Sequence, residues 1–457
     1  MPLRIVLGVF FLVASACSHL RAADRPNIVL ILADDLGWAD LGCYGNRFNE
    51  TPRIDQLASQ GIRFTNFYAG PVCSPTRANL QSGQDQARFS ITQHIPGHRR
   101  PYAKLSDPLV APNLPLEVET FAERLKESGY QTGYFGKWHL GGAGFGPGDQ
   151  GWETAIESRG HTVSQQRQAE NSEDRTAAYL TSQAIQFIET RRDKPFLVQI
   201  SHSAVHLPIS PPRDLVTKYL DKPAMDGYPS LPEYAGLVQE LDNAVGQLLD
   251  ALDRLQLADR TLVVFVSDNG GLVHQQNGQI VTSNAPLRGE KGTLYEGGIR
   301  VPAIVRWPGR VAASSTISTP CTTIDLYPTL VKLAGASLAD QPQDGVAIDS
   351  LFMMPDHPLD RHTLYWHLPH YHHSTPASAI RRGDWKLIEF FESNAIELYD
   401  LSADVSEARN LASTYPAKAE ELKSALAQWR QSVGARMPVP NPQYDPQRAN
   451  QLGRKAE

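Results

Sequence analysis

The sequence predicts an α/β protein: a large sheet covered by helices on both faces, followed by a small C-terminal subdomain of antiparallel strands plus a helix. Three observations carry that reading. Apolar runs of strand length alternate with segments of helical spacing. Groups able to do chemistry sit just past the C-terminal ends of those runs, where open α/β sheets bind ligands. Beyond about residue 360 the texture changes to strand–turn–strand and a last helix. The 457 residues suffice for one large domain and a smaller one.

Asn27 to Leu32 is a continuous apolar strand running straight into Asp34-Asp35. Thr51-Pro52 opens a helix that Gly61 ends. In Cys73-Ser74-Pro75-Thr76-Arg77, Ser74 suits a cap and Pro75 the first helical position, with the helix ending near Gly83. That places Cys73 just ahead of a helix N-terminus, where free N–H groups favour an anion. Val118 to Ser128 reads as a helix stopped by Gly129, Gln131 to Gly136 as a strand, Arg175 to Arg192 as a helix and Phe196 to Ser201 as a strand. Glu233 to Leu255 puts Leu237, Leu241, Ala244, Val245, Leu248 and Leu252 on one helical face. Thr261 to Ser267 and Val301 to Trp307 are strands, and Ile324 to Leu333 is a helix closed by Gly335. Then Arg382 to Ile388 and Ala395 to Leu401 suggest antiparallel strands, and Pro416 to Val433 a helix. The divisions expected are a leader at 1–23, a large α/β unit at 24–360, a subdomain at 361–437 and a flexible tail at 438–457, poor in apolar residues.

A charged fraction of 20% and a net charge of −6, without a basic stripe, exclude a nucleic-acid partner. Arg4 followed by the apolar run Ile5 to Ala14 reads as a secretory signal, too short to span a membrane. Cleavage could follow Ala16 or fall near Ala22 or Ala23, and the destination would be periplasmic or extracellular. Cys17 loosely resembles a lipoprotein site, although Ala14 is a poor match to the usual leucine. The four cysteines, Cys17, Cys43, Cys73 and Cys321, are too few for a disulfide-stapled fold. Cys43 and Cys321 default to free thiols, with a pair left open. Oligomeric state is not readable.

Asp34-Asp35 and Asp268-Asn269 follow two strands and suggest a shared hard cation. All-oxygen donors suit Ca²⁺ or Mg²⁺ and argue against zinc. Lys137 and His139 alternate around Trp138, so in an extended stretch both point the same way. His206 follows the strand ending at Ser201, and Lys291 lies in a glycine-flanked loop. His202 reads as structural.

With these pieces in place the chain resembles a type I, formylglycine-dependent sulfatase of the alkaline phosphatase superfamily, of the arylsulfatase or N-acetylgalactosamine-6-sulfatase kind. The resemblance rests on Ile31 to Asp35, Cys73 to Arg77 (C-x-P-x-R), Gly136 to Gly141, His206 to Pro208, Ser267 to Gly270, Gly289 to Gly298 and Glu397 to Leu401. It implies a large mixed sheet. It implies that Cys73 is oxidised to formylglycine by a formylglycine-generating enzyme, and that Asp34, Asp35, Asp268 and Asn269 bind Ca²⁺ in preference to Mg²⁺, with residue 73 on the metal. Arg77, Lys137, His139, His206 and Lys291 would surround the sulfate. Asp268 would accept the nucleophile's proton, Arg77 would hold the hydrated aldehyde, His206 with Lys291 would protonate the leaving oxygen, and His139 would help expel sulfate. Thr76, Asn79 and Gln81 depart from the commoner residues.

The implied activity is that of an exported sulfuric ester hydrolase acting on a sulfated carbohydrate. A phosphonate monoester or phosphodiester hydrolase on the same scaffold is the alternative. A non-catalytic sulfated-glycan-binding protein is a second, marked by a missing catalytic group, and none is missing. Specificity would come from Thr92–Leu116 (His94, His98, Arg99, Arg100), Glu157–Gln168, Gly271–Arg288 and Trp366–His373.

Overall fold

Every residue of the first strand, Asn27–Ala33, is buried, and its alternation sets the layering. Ile28, Leu30 and Leu32 enter one apolar cluster, while Val29, Ile31 and Ala33 enter another on the opposite face. The computed structural model describes residues 25–158 and 176–453. The leader with Cys17, Arg175 and most of the 157–168 segment lie outside the described residues.

The strands are β1 (Asn27–Ala33), β2 (Ile62–Tyr68), β3 (Leu105–Ser106), β4 (Gln131–Gly136), β5 (Thr154–Glu157), β6 (Phe196–Ser201), β7 (Thr261–Ser267), a small β8 (Gln275–Gln276) and β9 (Gln279–Ile280) hairpin, β10 (Arg300–Arg306), β11 (Ser315–Ile317), β12 (Cys321–Thr322), β13 (Thr363–Leu368), β14 (Ala377–Arg382), β15 (Trp385–Phe390), β16 (Ile396–Asp400) and β17 (Val439–Pro440). The nine-stranded main sheet runs β11-β2-β10-β7-β1-β6-β4-β5, with β12 also on β2. It is mixed because β10 is antiparallel to both β2 and β7, whereas β7, β1, β6, β4 and β5 are parallel. Helices α1 (Pro52–Ser59), α2 (Cys73–Ser82) and α3 (Phe121–Glu127) precede α4 (Thr176–Arg191), α5 (Arg213–Thr217), α6 (Pro232–Arg254) and α7 (Glu296–Ile299). Helices α8 (Leu326–Leu333), α9 (Asp349–Met353) and α10 (Pro416–Ser432) complete the set. Side chains of α2, α3 and α8 fill the first cluster, and those of α1, α4 and α6 the second, so helices cover both faces.

The C-terminal sheet, β13-β14-β15-β16, is wholly antiparallel. One face (Trp366, Ala379, Ile388, Tyr399) packs against Tyr68 and Ile299 of the large domain. The other (Ile380, Leu387, Leu398) packs against Leu422 and Leu426 of α10. Between the domains the fully buried Lys386 reaches Glu296 and Glu407, each at 2.8 Å.

Several local expectations are corrected. Helix α2 begins at Cys73 itself, with the extended Val72 as its cap. Ser74 is therefore no cap. Its hydroxyl donates to the His139 carbonyl at 2.9 Å and accepts from the Ile95 N–H at 3.1 Å. Helix α3 starts later than Val118, because Thr120 and Glu123 form a capping box. Arg382 belongs to β14, and Gly383 (φ +59°) makes the turn into β15. Residues 438–453 do not hang free. Val439–Pro440 pairs with Leu105–Ser106, and the Gly453 N–H donates to the Arg99 carbonyl at 2.9 Å. Cys43, Cys73 and Cys321 are free thiols. Among the described residues no helix is long and apolar enough to cross a membrane.

Candidate active site

The strand order explains the site. β7, β1, β6 and β4 lie side by side and parallel, so the residues leaving their C-terminal ends meet at one edge. Backbone bonds lock those exits together: the Asp268 N–H to the Ala33 carbonyl and the Asp34 N–H to the Ala204 carbonyl, both 3.0 Å, and the Lys137 N–H to the Ser201 carbonyl, also 3.0 Å. Asp35 turns with φ +64° and His139 with φ +61°, a conformation costly for side-chain-bearing residues and most often kept where geometry matters.

Asp34, Asp35, Asp268 and Asn269 are all buried here. A ligand atom of Cys73 lies within 4.8 Å of one each from Asp34 and Asp268, and Asp34, Asp35 and His206 form a second such group. The Lys137 ammonium meets Asp34 Oδ2 at 2.5 Å. Lys291 Nζ lies 2.6 Å from Asp35 Oδ1 and 2.8 Å from Oδ2. Arg77 spans the cluster, donating to Asp268 Oδ2 at 2.7 Å and to the Lys137 carbonyl at 2.5 Å. His206 Nδ1 donates to the Leu207 carbonyl at 2.7 Å, with Nε2 3.8 Å from Asp35. His139 Nε2 donates to the Ile95 carbonyl at 2.8 Å, leaving Nδ1 buried without a hydrogen-bond partner. Asp34 Oδ1 and Asn269 Oδ1 are likewise buried and unpartnered.

The electrostatics follow from crowding. Burial opposes ionisation of Asp34, but Lys137, His206 and Arg77 outweigh it and hold its carboxyl far below the usual range. Burial, then the neighbouring Asp34 charge, pushes Asp268 up to about 7. Burial, with Lys137 and Arg77 behind it, pushes His139 down to about 4. Two buried oxygens without partners beside further carboxylates form a cradle for a hard divalent cation.

The sulfatase family profile matches residues 26–336. The chain belongs to the sulfatase family. A second profile, of the C-terminal region of N-sulphoglucosamine sulphohydrolase, matches residues 289–432. A sulfatase of Formosa agariphila is 32% identical, with 89% of this chain and 88% of that protein covered. Arylsulfatase A of Bos taurus is 31% identical over 92% of this chain and 90% of that one. Among solved structures, Ps i-CgsB aligns with a TM-score of 0.77 at 27% identity, covering 92% of this chain and 94% of that one. The fold is alkaline phosphatase-like and the enzyme is a sulfuric ester hydrolase.

In this sulfatase the site residues expected from sequence converge, and His202 was read as structural. His202 is fully buried and pushed down to about 4 by burial. Sequence reasoning missed the support beneath the site. The Thr76 hydroxyl donates to the Asp268 carbonyl at 2.5 Å and accepts from the Gly70 N–H at 2.8 Å. The Tyr134 hydroxyl donates to the Lys137 carbonyl at 2.6 Å. Gly270 permits close approach, since a Cβ there would stand 1.8 Å from the Gly297 carbonyl oxygen. No spacing rule marks these positions. Two unusual polar residues of α2 are structural: Gln81 donates to Gln199 at 2.8 Å, and Asn79 accepts from the Gln86 N–H at 2.8 Å. The histidine-rich 366–373 segment divides. Trp366 and His367 lie in β13 and are buried, and His367 bonds Ser378 and the Arg436 carbonyl. His372 and His373 reach the site's rim, with His373 Nδ1 2.6 Å from the Lys291 carbonyl.

Proposed function

We propose that the enzyme is exported and removes sulfate from a carbohydrate monoester, with Cys73 as the precursor of formylglycine and Ca²⁺ on Asp34, Asp35, Asp268 and Asn269. The observation that carries this reading is the pair of buried, unpartnered oxygens, Asp34 Oδ1 and Asn269 Oδ1, beside the group formed by the Asp34 and Asp268 carboxylates and the Cys73 thiol. The donors are carboxylate and amide oxygens, which fit a hard cation. When bound, Ca²⁺ would supply positive charge against the sulfate oxygens, and hydrated formylglycine would supply the nucleophile and a second hydroxyl for sulfate release.

The chain's own residues then take separable roles. Arg77, Lys137 and Lys291 supply fixed positive charge where the ester's negative oxygens gather. Asp268, one of the proposed metal ligands, would accept the nucleophile's proton. His139 presents a neutral Nδ1 lone pair because its Nε2–H is committed to Ile95, which suits it to remove a proton during sulfate release. His206, oriented by its Nδ1–H bond to the Leu207 carbonyl, would protonate the leaving oxygen from Nε2. A carbohydrate substrate is supported by Ps i-CgsB, of which a complex with k-i-k-neocarrahexaose has been solved, at 27% identity to this chain.

The test is sulfate release from a panel of sulfated mono- and disaccharides, with a phosphodiester and a phosphonate monoester alongside. The protein is coexpressed with a formylglycine-generating enzyme and the aldehyde at position 73 is verified by peptide mass. Release from one sugar supports the proposal. Preferential cleavage of the phosphorus esters by aldehyde-bearing protein overturns it in favour of the phosphorus-ester alternative.

A further inference from the structure

Three histidines from two loops meet at the rim of this pocket. His94, His98 and His372 each present a ring nitrogen, and these atoms lie within 4.8 Å of one another. Ring centroids are 4.4 Å apart for His94–His98, 5.7 Å for His94–His372 and 5.5 Å for His98–His372. His94 lies 6.5 Å from His139, which places the group beside the catalytic pocket and apart from its carboxylates. We propose that His94, His98 and His372 form a second metal site, for a borderline transition metal such as Zn²⁺ or Co²⁺.

The chemistry of the donors selects the metal. Three imidazoles without a carboxylate suit zinc, cobalt, nickel or copper and offer little to Ca²⁺, which takes oxygen. Three protein ligands leave a fourth position open. The frame is already built. Arg100 donates to the His372 carbonyl at 3.0 Å, and Thr92 and His370 are bonded at 2.8 Å, so the two loops are tied before any metal arrives. Gly292 makes room for the His372 ring, since a Cβ there would stand 1.9 Å from its Nδ1. The nearby Lys291 ammonium is paired with Asp35 at 2.6 Å, which offsets part of its repulsion of a cation. A bound metal would pin the 92–116 loop to the 370–373 loop, joining the large domain to the C-terminal one at the pocket's mouth.

The test uses the full chain in excess Ca²⁺, titrated with Co²⁺ and read by visible d–d absorption, with Zn²⁺ displacement counted by elemental analysis. One equivalent per chain is expected. His98 is exposed, so His98→Ala should fold and lower Co²⁺ affinity by about 100-fold or more. His94→Ala should do the same. Asp34→Asn should leave the cobalt spectrum unchanged, and none of these readouts depends on turnover. Uptake that survives both histidine substitutions, uptake abolished by Asp34→Asn, or no uptake by the wild-type chain would each overturn the site.

Discussion

Two buried clusters of charge lie at opposite ends of residues 291–300, and they are built to opposite rules. At the domain junction Lys386 holds Glu296 Oε1 and Glu407 Oε1 at 2.8 Å each, Tyr68 donates to Glu296 Oε2 at 2.7 Å, and the Glu296 N–H donates to Glu407 Oε2 at 2.7 Å. Arg381 closes the ring by bonding the Tyr68 hydroxyl. Each carboxylate oxygen there meets a cation or a donor, Glu407 Oε1 only through its 2.8 Å ion pair with Lys386 and without hydrogen-bond geometry. In the catalytic crevice Asp34 Oδ1, Asn269 Oδ1 and His139 Nδ1 have none. A satisfied cluster joins structure to structure, whereas buried groups left without partners mark the place where something else must bind.

The largest effect tests the crevice. Cys73→Ala should cut turnover by on the order of 10⁵-fold while the melting temperature stays close to wild type. Substantial turnover in that variant would remove Cys73 from the chemistry.

Breaking the junction should do the reverse. Lys386→Met strands two buried carboxylates and should cost about 3–5 kcal/mol by urea unfolding. Activity per folded molecule should be largely kept. A catalytic loss with unchanged stability would erase the distinction between the clusters. Tyr68→Phe removes one hydroxyl from the same ring and should cost about 1–3 kcal/mol in the same assay.

The smallest effect is a pH slope. Burial holds His202 near 4 against an ordinary 6.5, and burial does the same for His367. Each therefore favours the folded state while neutral. That contribution is complete above pH 6.5 and is lost as pH falls through about 4, with a slope approaching ~1.4 kcal/mol per pH unit per histidine. His202→Asn should flatten the slope of the urea midpoint between pH 4 and 6.5, and an unchanged slope would place the titration elsewhere.

How much of this was legible depended on the kind of signal. Asn27–Ala33 and the face of α6 were readable because complete burial and helical spacing leave plain patterns. β2 was missed. Its alternation Ile62-Arg63-Phe64-Thr65 breaks at Asn66-Phe67, where the pairing with β10 shifts register through a bulge. The proposed site was readable as a cluster because Asp34, Asp35, Lys137, His139, His206, Asp268 and Asn269 come after strand ends and Cys73 opens a helix, whereas Lys291 was marked only by its glycine-flanked loop. The junction was not, because Lys386, Glu296 and Glu407 are far apart in sequence and look like surface charges until the chain is folded. The tail, expected to be flexible, is held to the 99–106 segment by backbone pairing and by the Asn441 side chain on the Pro101 and Ala103 carbonyls, contacts across some 340 residues that composition does not encode.

The most direct test of the contrast is calcium content after dialysis, measured for aldehyde-bearing wild type, Asp34→Asn and Lys386→Met. One tightly held Ca²⁺ in wild type and Lys386→Met, lost in Asp34→Asn, is the predicted result. Calcium retained undiminished in Asp34→Asn, or absent from the wild-type protein, would contradict the reading of the crevice as the open cluster.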